Sequence, residues 1–323
     1  MAGNSRNKPK RRTVRFSLRT LLLVMVFVCG GLGWKVERTR IQREAVAWVL
    51  QKSGTVRYQH ETTYEDGVWG RKVSPPLPGP KWLRERLGID FFDRIVWIDL
   101  SGEDVSDLKQ IAGLTGVTLM DLSHTVVLDL GPISRMTQMR HLDLRFTPVS
   151  DLSPLGGMTR MERLDLHATR VSDISPLAKM THMRDLELNG GISVSDLAPL
   201  AQMTRMRELD LYGSPVSDLW PLKEMSALEV LWLTRTNVAD LTPLAGLSNL
   251  EKLSLKGTQI KELSPLSELR SLKHLGLGDT KVRDLTPLSD LTDLRLLRLE
   301  AMTINDAEFE EIKAALPRCT VRR

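Results

Sequence analysis

The sequence is poor in cysteine and in aromatic residues, and it lacks the short motifs of common enzyme classes. Its 323 residues include two cysteines, Cys29 and Cys319, and only 5% are aromatic. A CxxC pair, GxSxG, a P-loop and a GxGxxG preceding a helix are all missing, which removes the sequence basis for thiol–metal chemistry, serine hydrolysis and nucleotide binding. We therefore expect no cofactor, no metal site and no catalytic residues.

Acidic residues are almost missing from the start of the chain. The first 43 residues hold 11 Lys and Arg but one acid, Glu37, whereas the remainder holds 34 basic and 39 acidic residues. The excess positive charge therefore belongs to the N-terminal segment, and we expect no nucleic-acid binding by the rest of the chain.

From residue 95 onward the chain repeats a 22-residue pattern. The stretch MRHLDLRFTPVSDLSPLGGM begins at Met139, and related stretches begin at residues 161, 206, 228, 250 and 272, with a 23-residue unit from 183. A fixed period of this size predicts a solenoid of stacked units. In the unit from Met139, Leu142 and Leu144 alternate as in a strand, and Asp151 is suited to cap a short helical or 3₁₀ turn.

Three columns of equivalent residues run through the repeats and predict parallel strands over a shared core. We expect the hydroxyl column to bond the turn backbone of neighbouring units. The leucine column comprises Leu100, Leu122, Leu144, Leu166, Leu188, Leu211, Leu233, Leu255, Leu277 and Leu299. The acidic cap column comprises Asp107, Asp129, Asp151, Asp173, Asp196, Asp218, Asp240, Glu262, Asp284 and Asp306. The hydroxyl column comprises Thr125, Thr147, Thr169, Ser214, Thr236, Thr258 and Thr280.

The pattern LxxLxLxx[NT]x[VI] resembles the leucine-rich repeat family, and VSDLSPL and LTPLAGLSNLEKLSL resemble its internalin-like 22-residue bacterial type. The similarity covers residues 95–321, with Thr at the turn position where most families carry Asn. The resemblance implies an α/β solenoid with a curved parallel sheet on its concave face and short helical or 3₁₀ turns on its convex side. It also implies binding of other macromolecules on the concave face.

Residues 16–34 predict a transmembrane helix. The 15 residues from Thr20 to Trp34 carry no charge, and the full segment reaches about 28 Å as a helix, close to the apolar thickness of a bilayer. The basic flank before it favours a cytoplasmic N-terminus and an extracytoplasmic repeat domain. A cleavable signal peptide is the alternative, because Gly31-Leu-Gly33 is a small-x-small site.

The predicted organisation follows from these segments. Residues 35–94 should form a juxtamembrane helix at 35–52, a strand at 55–60, a loop at 62–80 and a short helix at 81–87 that covers the first repeat strand. Asp306 should be the N-cap of a C-terminal helix. The predicted domains are a basic cytoplasmic tail (1–15), the transmembrane helix (16–34), the juxtamembrane and cap region (35–94), about ten repeats (95–305), and a cap helix with a basic tail (306–323).

An acidic stripe is predicted along the exposed strand positions, followed by residues typical of interface hot spots. The stripe would be a self-neutralised polar surface, a docking site for a basic partner, or, less suitably, a calcium site. The candidate ligand-binding residues are Asp121, Asp143, Asp165, Glu187, Asp210, Tyr212, Val230, Trp232 and Arg235.

The predicted function is non-catalytic binding. A single-pass membrane protein would present its repeats to a protein or a cell-envelope polymer outside the cytoplasm. Two alternatives are a structural spacer without a dedicated ligand and a repeat protein secreted after signal cleavage. An enzyme would require a reactive group that no motif in the sequence supplies.

Overall fold

The computed structural model describes residues 18–65, 68–71 and 75–323, and most of them form one solenoid. The predicted tail at 1–15 and the first two residues of the predicted membrane segment lie outside the described residues. One strand per repeat stacks in parallel, in chain order, from β4 to β13. These strands are β4 Ile95–Asp99, β5 Leu119–Asp121, β6 His141–Asp143, β7 Arg163–Asp165, β8 Asp185–Glu187, β9 Glu208–Asp210, β10 Val230–Trp232, β11 Lys252–Ser254, β12 His274–Gly276 and β13 Leu296–Arg298.

The core is a continuous set of apolar columns contributed by successive units. In the unit from Met139, the side chains of Leu144, Val149, Leu155 and Met158 have no exposed surface. Removing a leucine side chain from water contributes roughly 2 kcal/mol, and a single unit has no second layer to cover these side chains. The predicted leucine column and the parallel pairing are therefore confirmed.

Each unit continues from its strand into a 3₁₀ turn on the opposite side. In the unit from Met139 this turn is Ser153–Leu155, with Pro154 near its start. Asp151 Oδ1 accepts a hydrogen bond from the Ser153 backbone N–H at 2.8 Å, so the predicted capping is confirmed for Asp151. Proline fits here because the first residues of a helical turn need no donor within it.

The prediction that the hydroxyl column bonds the turn backbone of neighbouring units was wrong. Thr147 Oγ1 donates to the Leu144 carbonyl oxygen of its own unit at 2.6 Å, and Ser214 Oγ does the same to Leu211 at 2.8 Å. Neighbouring turns are joined instead by backbone bonds, as from Phe146 N–H to the His167 carbonyl at 2.9 Å. The hydroxyl is too short to leave its own turn, so it satisfies the nearest buried carbonyl.

A helix and a strand cover the first end of the solenoid. Helix α1 (Leu18–Gln51) leads into β1 (Thr55–Tyr58), which pairs antiparallel with β4. Helix α2 (Lys81–Leu87) has the predicted bounds but does not cover the first repeat strand, because β1 occupies that edge. The segment predicted as loop contains a strand pair, β2 (Thr62–Glu65) and β3 (Val68–Arg71).

Helix α1 is continuous but has two different environments along its 34 residues. From Leu22 to Val28 every residue is more than half exposed, whereas Thr39, Ala45 and Val49 are buried against the solenoid. Within the part of the chain that the structure describes, no helix combines the length and the apolarity required to cross a membrane.

The other end of the solenoid is closed by helix α3 (Asp306–Ala315) and strand β14 (Thr320–Arg322), which pairs in parallel with β13. The helix starts one residue earlier than predicted. Asn305 is the N-cap: its side chain accepts from Glu308 N–H at 2.8 Å, and Glu308 Oε2 accepts from Asn305 N–H at 3.3 Å. This reciprocal pair satisfies two backbone donors that an Asp306 cap would leave open.

Candidate functional site

The predicted acidic stripe is present on the exposed face of the sheet. The pairing register aligns equivalent residues of adjacent strands, which lie about 4.8 Å apart. The aligned positions are Asp99, Asp121, Asp143, Asp165, Glu187, Asp210, Trp232, Ser254, Gly276 and Arg298.

Five of the six acids have a structural task in addition to their charge. Asp143 Oδ1 accepts from the Arg145 backbone N–H at 3.0 Å, and Asp99, Asp121, Asp165 and Asp210 cap their own turns in the same way. Aspartate has the right length for this bond to the residue two positions later. The stripe therefore contributes to folding, whether or not it also binds a partner.

A shallow groove of about 390 Å³ lies along the acidic strands. Arg145 neutralises part of the stripe, contacting Asp143 and lying 3.4 Å from Asp165 Oδ2. Arg163 pairs with Asp185 at 2.5 Å. The lining holds six carboxyl groups against two guanidinium groups, so its net charge is negative even when one of the six is protonated. Its charged lining residues are Asp121, Asp143, Asp165, Asp185, Glu187, Glu208, Arg145 and Arg163.

A second exposed column runs beside the stripe and was only partly recognised from the sequence. Asp185 and Glu208 extend the acidic surface, and His141 lies in the same column. Burial, with Arg163 and Arg140 nearby, lowers the pKa of His141 to about 4, so this imidazole is neutral at pH 7. The sequence could have predicted this column, because its residues lie two positions before the members of the stripe.

Glu187 is the exception within the stripe because it carries one more methylene than aspartate. Its Oε2 accepts from Asn189 Nδ2 at 3.2 Å, and the same amide group also donates to Asp210. Burial, reinforced by Asp210, Asp165 and Glu208, raises the pKa of Glu187 to about 8. The centre of the stripe therefore holds a proton at neutral pH.

Replacing Glu187 by glutamine should remove a loss of stability at high pH. The folded-state pKa of about 8 lies above the ordinary value of 4.5. The contribution of this protonated carboxyl to the free energy of unfolding is therefore fully present below about pH 4.5, and it is lost as the pH rises through 8. In urea unfolding at pH 9 we expect Glu187→Gln to exceed the wild type by on the order of 1 kcal/mol, since partial exposure screens the repulsion. Near pH 4 the two should match.

The matched control is Glu262→Gln on the opposite side of the solenoid, where the side chain is exposed. Its stability relative to the wild type should be the same at both pH values. An equal pH response in the two variants would contradict a specific role for Glu187.

The predicted hot-spot residues lie together beyond the end of the stripe. Trp232 follows Asp210 in register, and Val230 is on the same strand. Arg235 Nη1 donates to Tyr212 Oη at 3.3 Å, which joins the turns of adjacent units. These side chains form a mixed aromatic and cationic surface next to the acidic groove, and their role in binding stays a prediction.

An apolar patch at the rim of the sheet was missed from the sequence. Val126, Leu128 and Phe146 are 50%, 61% and 48% exposed. Phe146 stacks on His124 at 4.5 Å between ring centroids and has φ of 55°, where the equivalent residue in several other units is glycine. A bulky residue in this region costs roughly 1 kcal/mol. The sequence did carry a signal, because most other units place small, polar or charged residues at these three positions.

The carboxylates of the acidic stripe are the groups on this face that could ligate a metal ion. Among the residues that the structure describes, no three His, Cys, Asp or Glu side chains come close enough to hold a metal ion. The carboxylates follow one another along a column instead of converging on a point, as calcium ligands must.

Comparisons with known proteins find the same kind of repeat. The family model "Leucine Rich repeats (2 copies)" matches residues 137–179 and 226–268. No curated protein matches the sequence. Among solved structures, internalin InlF of Listeria monocytogenes is 29% identical, with 70% of this chain and 66% of that chain covered and a TM-score of 0.67. Internalin InlC2 of the same organism is 28% identical, with 60% and 83% covered and a TM-score of 0.55.

A leucine-rich repeat protein of Leptospira interrogans shares the fold, with 21% identity, 70% and 59% coverage and a TM-score of 0.65. The chain spans less than two thirds of the length of this protein and of InlF. The stacked sheet and these matches show that the chain has a fold similar to the leucine-rich repeat solenoid. Internalins are among its structural neighbours, and this fold is a typical non-enzymatic scaffold for protein interaction.

Proposed function

We propose that this chain is a membrane-anchored leucine-rich repeat protein that binds a partner on the exposed face of its sheet, outside the cytoplasm and without catalysis. Leucine-rich repeat proteins generally mediate protein–protein binding. The observation that carries the proposal is an acidic groove adjoining Tyr212, Trp232 and Arg235 on a sheet face that no described element covers. Exposed Trp, Tyr and Arg are the residues most often found to dominate binding energy.

Charge complementarity favours a basic protein surface over other partners. With Glu187 protonated, five ionised carboxylates against two guanidinium groups attract Lys and Arg side chains and speed the encounter with them. The neighbouring aromatic surface would bury the apolar part of such a partner. A cationic cell-envelope polymer has the same charge and is the second candidate partner.

The anchor is proposed for residues 16–34, with the N-terminus in the cytoplasm. It is supported by the uncharged run from Thr20 to Trp34 and by the exposure of apolar side chains from Leu22 to Val28. In water such a surface is costly, whereas a lipid environment would cover it. The proposed segment begins at Phe16, before the described residues. Cleavage near Gly33, giving a secreted protein, is the alternative.

A spacer without a ligand is the competing function. It is favoured by the turn-capping role of five acids in the stripe, because those aspartates would be required even if nothing bound. The spacer proposal gives no reason for Trp232, which lies half-buried on the exposed face.

Photo-crosslinking in living cells tests the two functions. A benzoylphenylalanine in place of Trp232 should capture one defined partner, whereas the same residue in place of Trp220 on the opposite side should not. Trp220 is a matched control because it is also tryptophan and is 53% exposed. Identical products from both positions would contradict binding by the sheet face and support the spacer.

A further inference from the structure

Two arginines converge on a cavity between helix α1 and the first repeats. Arg38 of α1 and Arg94, which precedes β4, line a space of about 500 Å³ together with Trp34 and Gly116. A Cβ atom placed on Gly116 would lie 3.3 Å from Arg94 Cδ and 3.8 Å from Arg38 Nη2. Gly116 therefore has the aliphatic part of Arg94 and the guanidinium group of Arg38 as neighbours on the wall of the cavity.

Neither guanidinium group is neutralised within the described residues. Arg38 lies 5.6 Å from the Trp34 ring, and Arg94 Nε donates to Gln59 Oε1 at 2.9 Å, but no carboxylate lies within 4 Å of either.

The nearby acids have other partners. Glu37 binds Arg40 at 2.6 Å, Asp90 accepts from Tyr58 Oη at 2.7 Å, and Asp93 pairs with His60. Lys35 lines an adjoining cavity of about 230 Å³ that also contains Arg38 and Arg94. Asp90 and Asp93 line this smaller cavity too, and Glu37 lines the larger one. Because each of these acids already has a partner, the two arginines remain available to an anion.

The position along α1 suits the surface of a membrane. Arg38 follows Trp34, the last residue of the proposed anchor, by four residues, or about 6 Å of helix. The headgroup layer on each side of the hydrocarbon core is about 5–7 Å thick. Trp34 is 64% exposed at the boundary, where aromatic residues are enriched.

We propose that Arg38 and Arg94, with Lys35 at the rim, bind the phosphate of an anionic phospholipid headgroup. Two arginines that line the same cavities offer N–H donors that match phosphate oxygens. The inference rests on the proposed anchor, because the anchor would bring the cavity to headgroup depth. It also gives a role to the basic residues that follow the apolar segment.

The test uses the full chain in nanodiscs of phosphatidylcholine with or without phosphatidylglycerol. Native mass spectrometry counts the lipids that stay bound, and circular dichroism checks folding. The wild type should retain phosphatidylglycerol in preference to phosphatidylcholine. Each basic residue near an anionic surface contributes roughly fivefold, so Arg38→Gln with Arg94→Gln should reduce the preference about 25-fold.

The control is Arg86→Gln with Arg135→Gln, which removes the same charge from two exposed arginines elsewhere and should keep the preference. Incorporation of the wild type without any preference would overturn the lipid site while leaving the anchor intact. Failure to enter phosphatidylcholine nanodiscs would overturn the anchor and the lipid site with it. Equal binding of soluble glycerol phosphate would overturn the lipid as the source of the phosphate.

Discussion

Truncating Leu231 to alanine is expected to lower the free energy of unfolding by about 3 kcal/mol, the usual cost of a large cavity in a packed core. Leu231 has no exposed surface and stands between Leu209 and Leu253 in the pairing register. Its neighbours are held by their own columns, so they cannot collapse into the space. Urea unfolding followed by circular dichroism measures the change.

The control is Val230→Ala on the same strand. Val230 faces outward and is only partly buried, so its loss should cost less than 1 kcal/mol. Equal losses for the two variants would contradict the assignment of Leu231 to the shared core. A lower m-value for Leu231→Ala would indicate that the repeats unfold in separate groups, as in other solenoids.

Neutralising three acids of the stripe should lower the affinity for a basic partner about tenfold at low salt. Asp121→Asn, Asp143→Asn and Asp165→Asn retain the side-chain oxygen that caps each turn, so only the charge is lost. Each of these three partly buried charges, still screened by solvent, is expected to contribute roughly 0.5 kcal/mol. The dissociation constant of the partner captured through residue 232 should show this change at 50 mM salt and a smaller one at 300 mM.

The matched control removes three charges from the convex side. Asp151→Asn, Asp173→Asn and Asp196→Asn alter the same chemistry, because these aspartates also cap turns through Oδ1. They should leave the affinity within about twofold. Equal weakening by the two triple variants would show that net charge matters and that the stripe does not.

The repeats were predictable because each position recurs. Ten occurrences of the leucine column leave one register in which every leucine is buried, and the aligned acids follow from that register. The partner of the Thr147 hydroxyl was not predictable in this way. Its choice between two nearby carbonyls depends on turn geometry that the period does not determine.

The first end of the solenoid was less predictable because its pairing occurs only once. Nothing repeated indicates that Thr55–Tyr58 runs antiparallel to β4. The strand pair β2 and β3 did have a signal, since Asp66-Gly67 lies between them in sequence and this dipeptide favours tight hairpins. The density of Gly and Pro after it led to the loop prediction.

The candidate site was predictable in position but not in chemistry. The sequence aligned Asp210 with Trp232, and the structure adds the contact between Arg235 and Tyr212. The raised pKa of Glu187 depends on acids in two columns and on burial, neither of which follows from spacing alone. The placement of Arg38 and Arg94 on the same cavities depends on the packing of α1 on the first end of the solenoid.

The unbroken course of α1 has a consequence for orientation. The helix passes from its exposed half to its packed half without a hinge among the described residues. Fixing the orientation of the exposed half would therefore also fix the orientation of the sheet face that carries the acidic stripe. Each residue inserted between the two halves would swing that face by about 100° around the helix axis. A continuous helix of this kind would determine the direction in which the repeats point as well as connect them to the first half of α1.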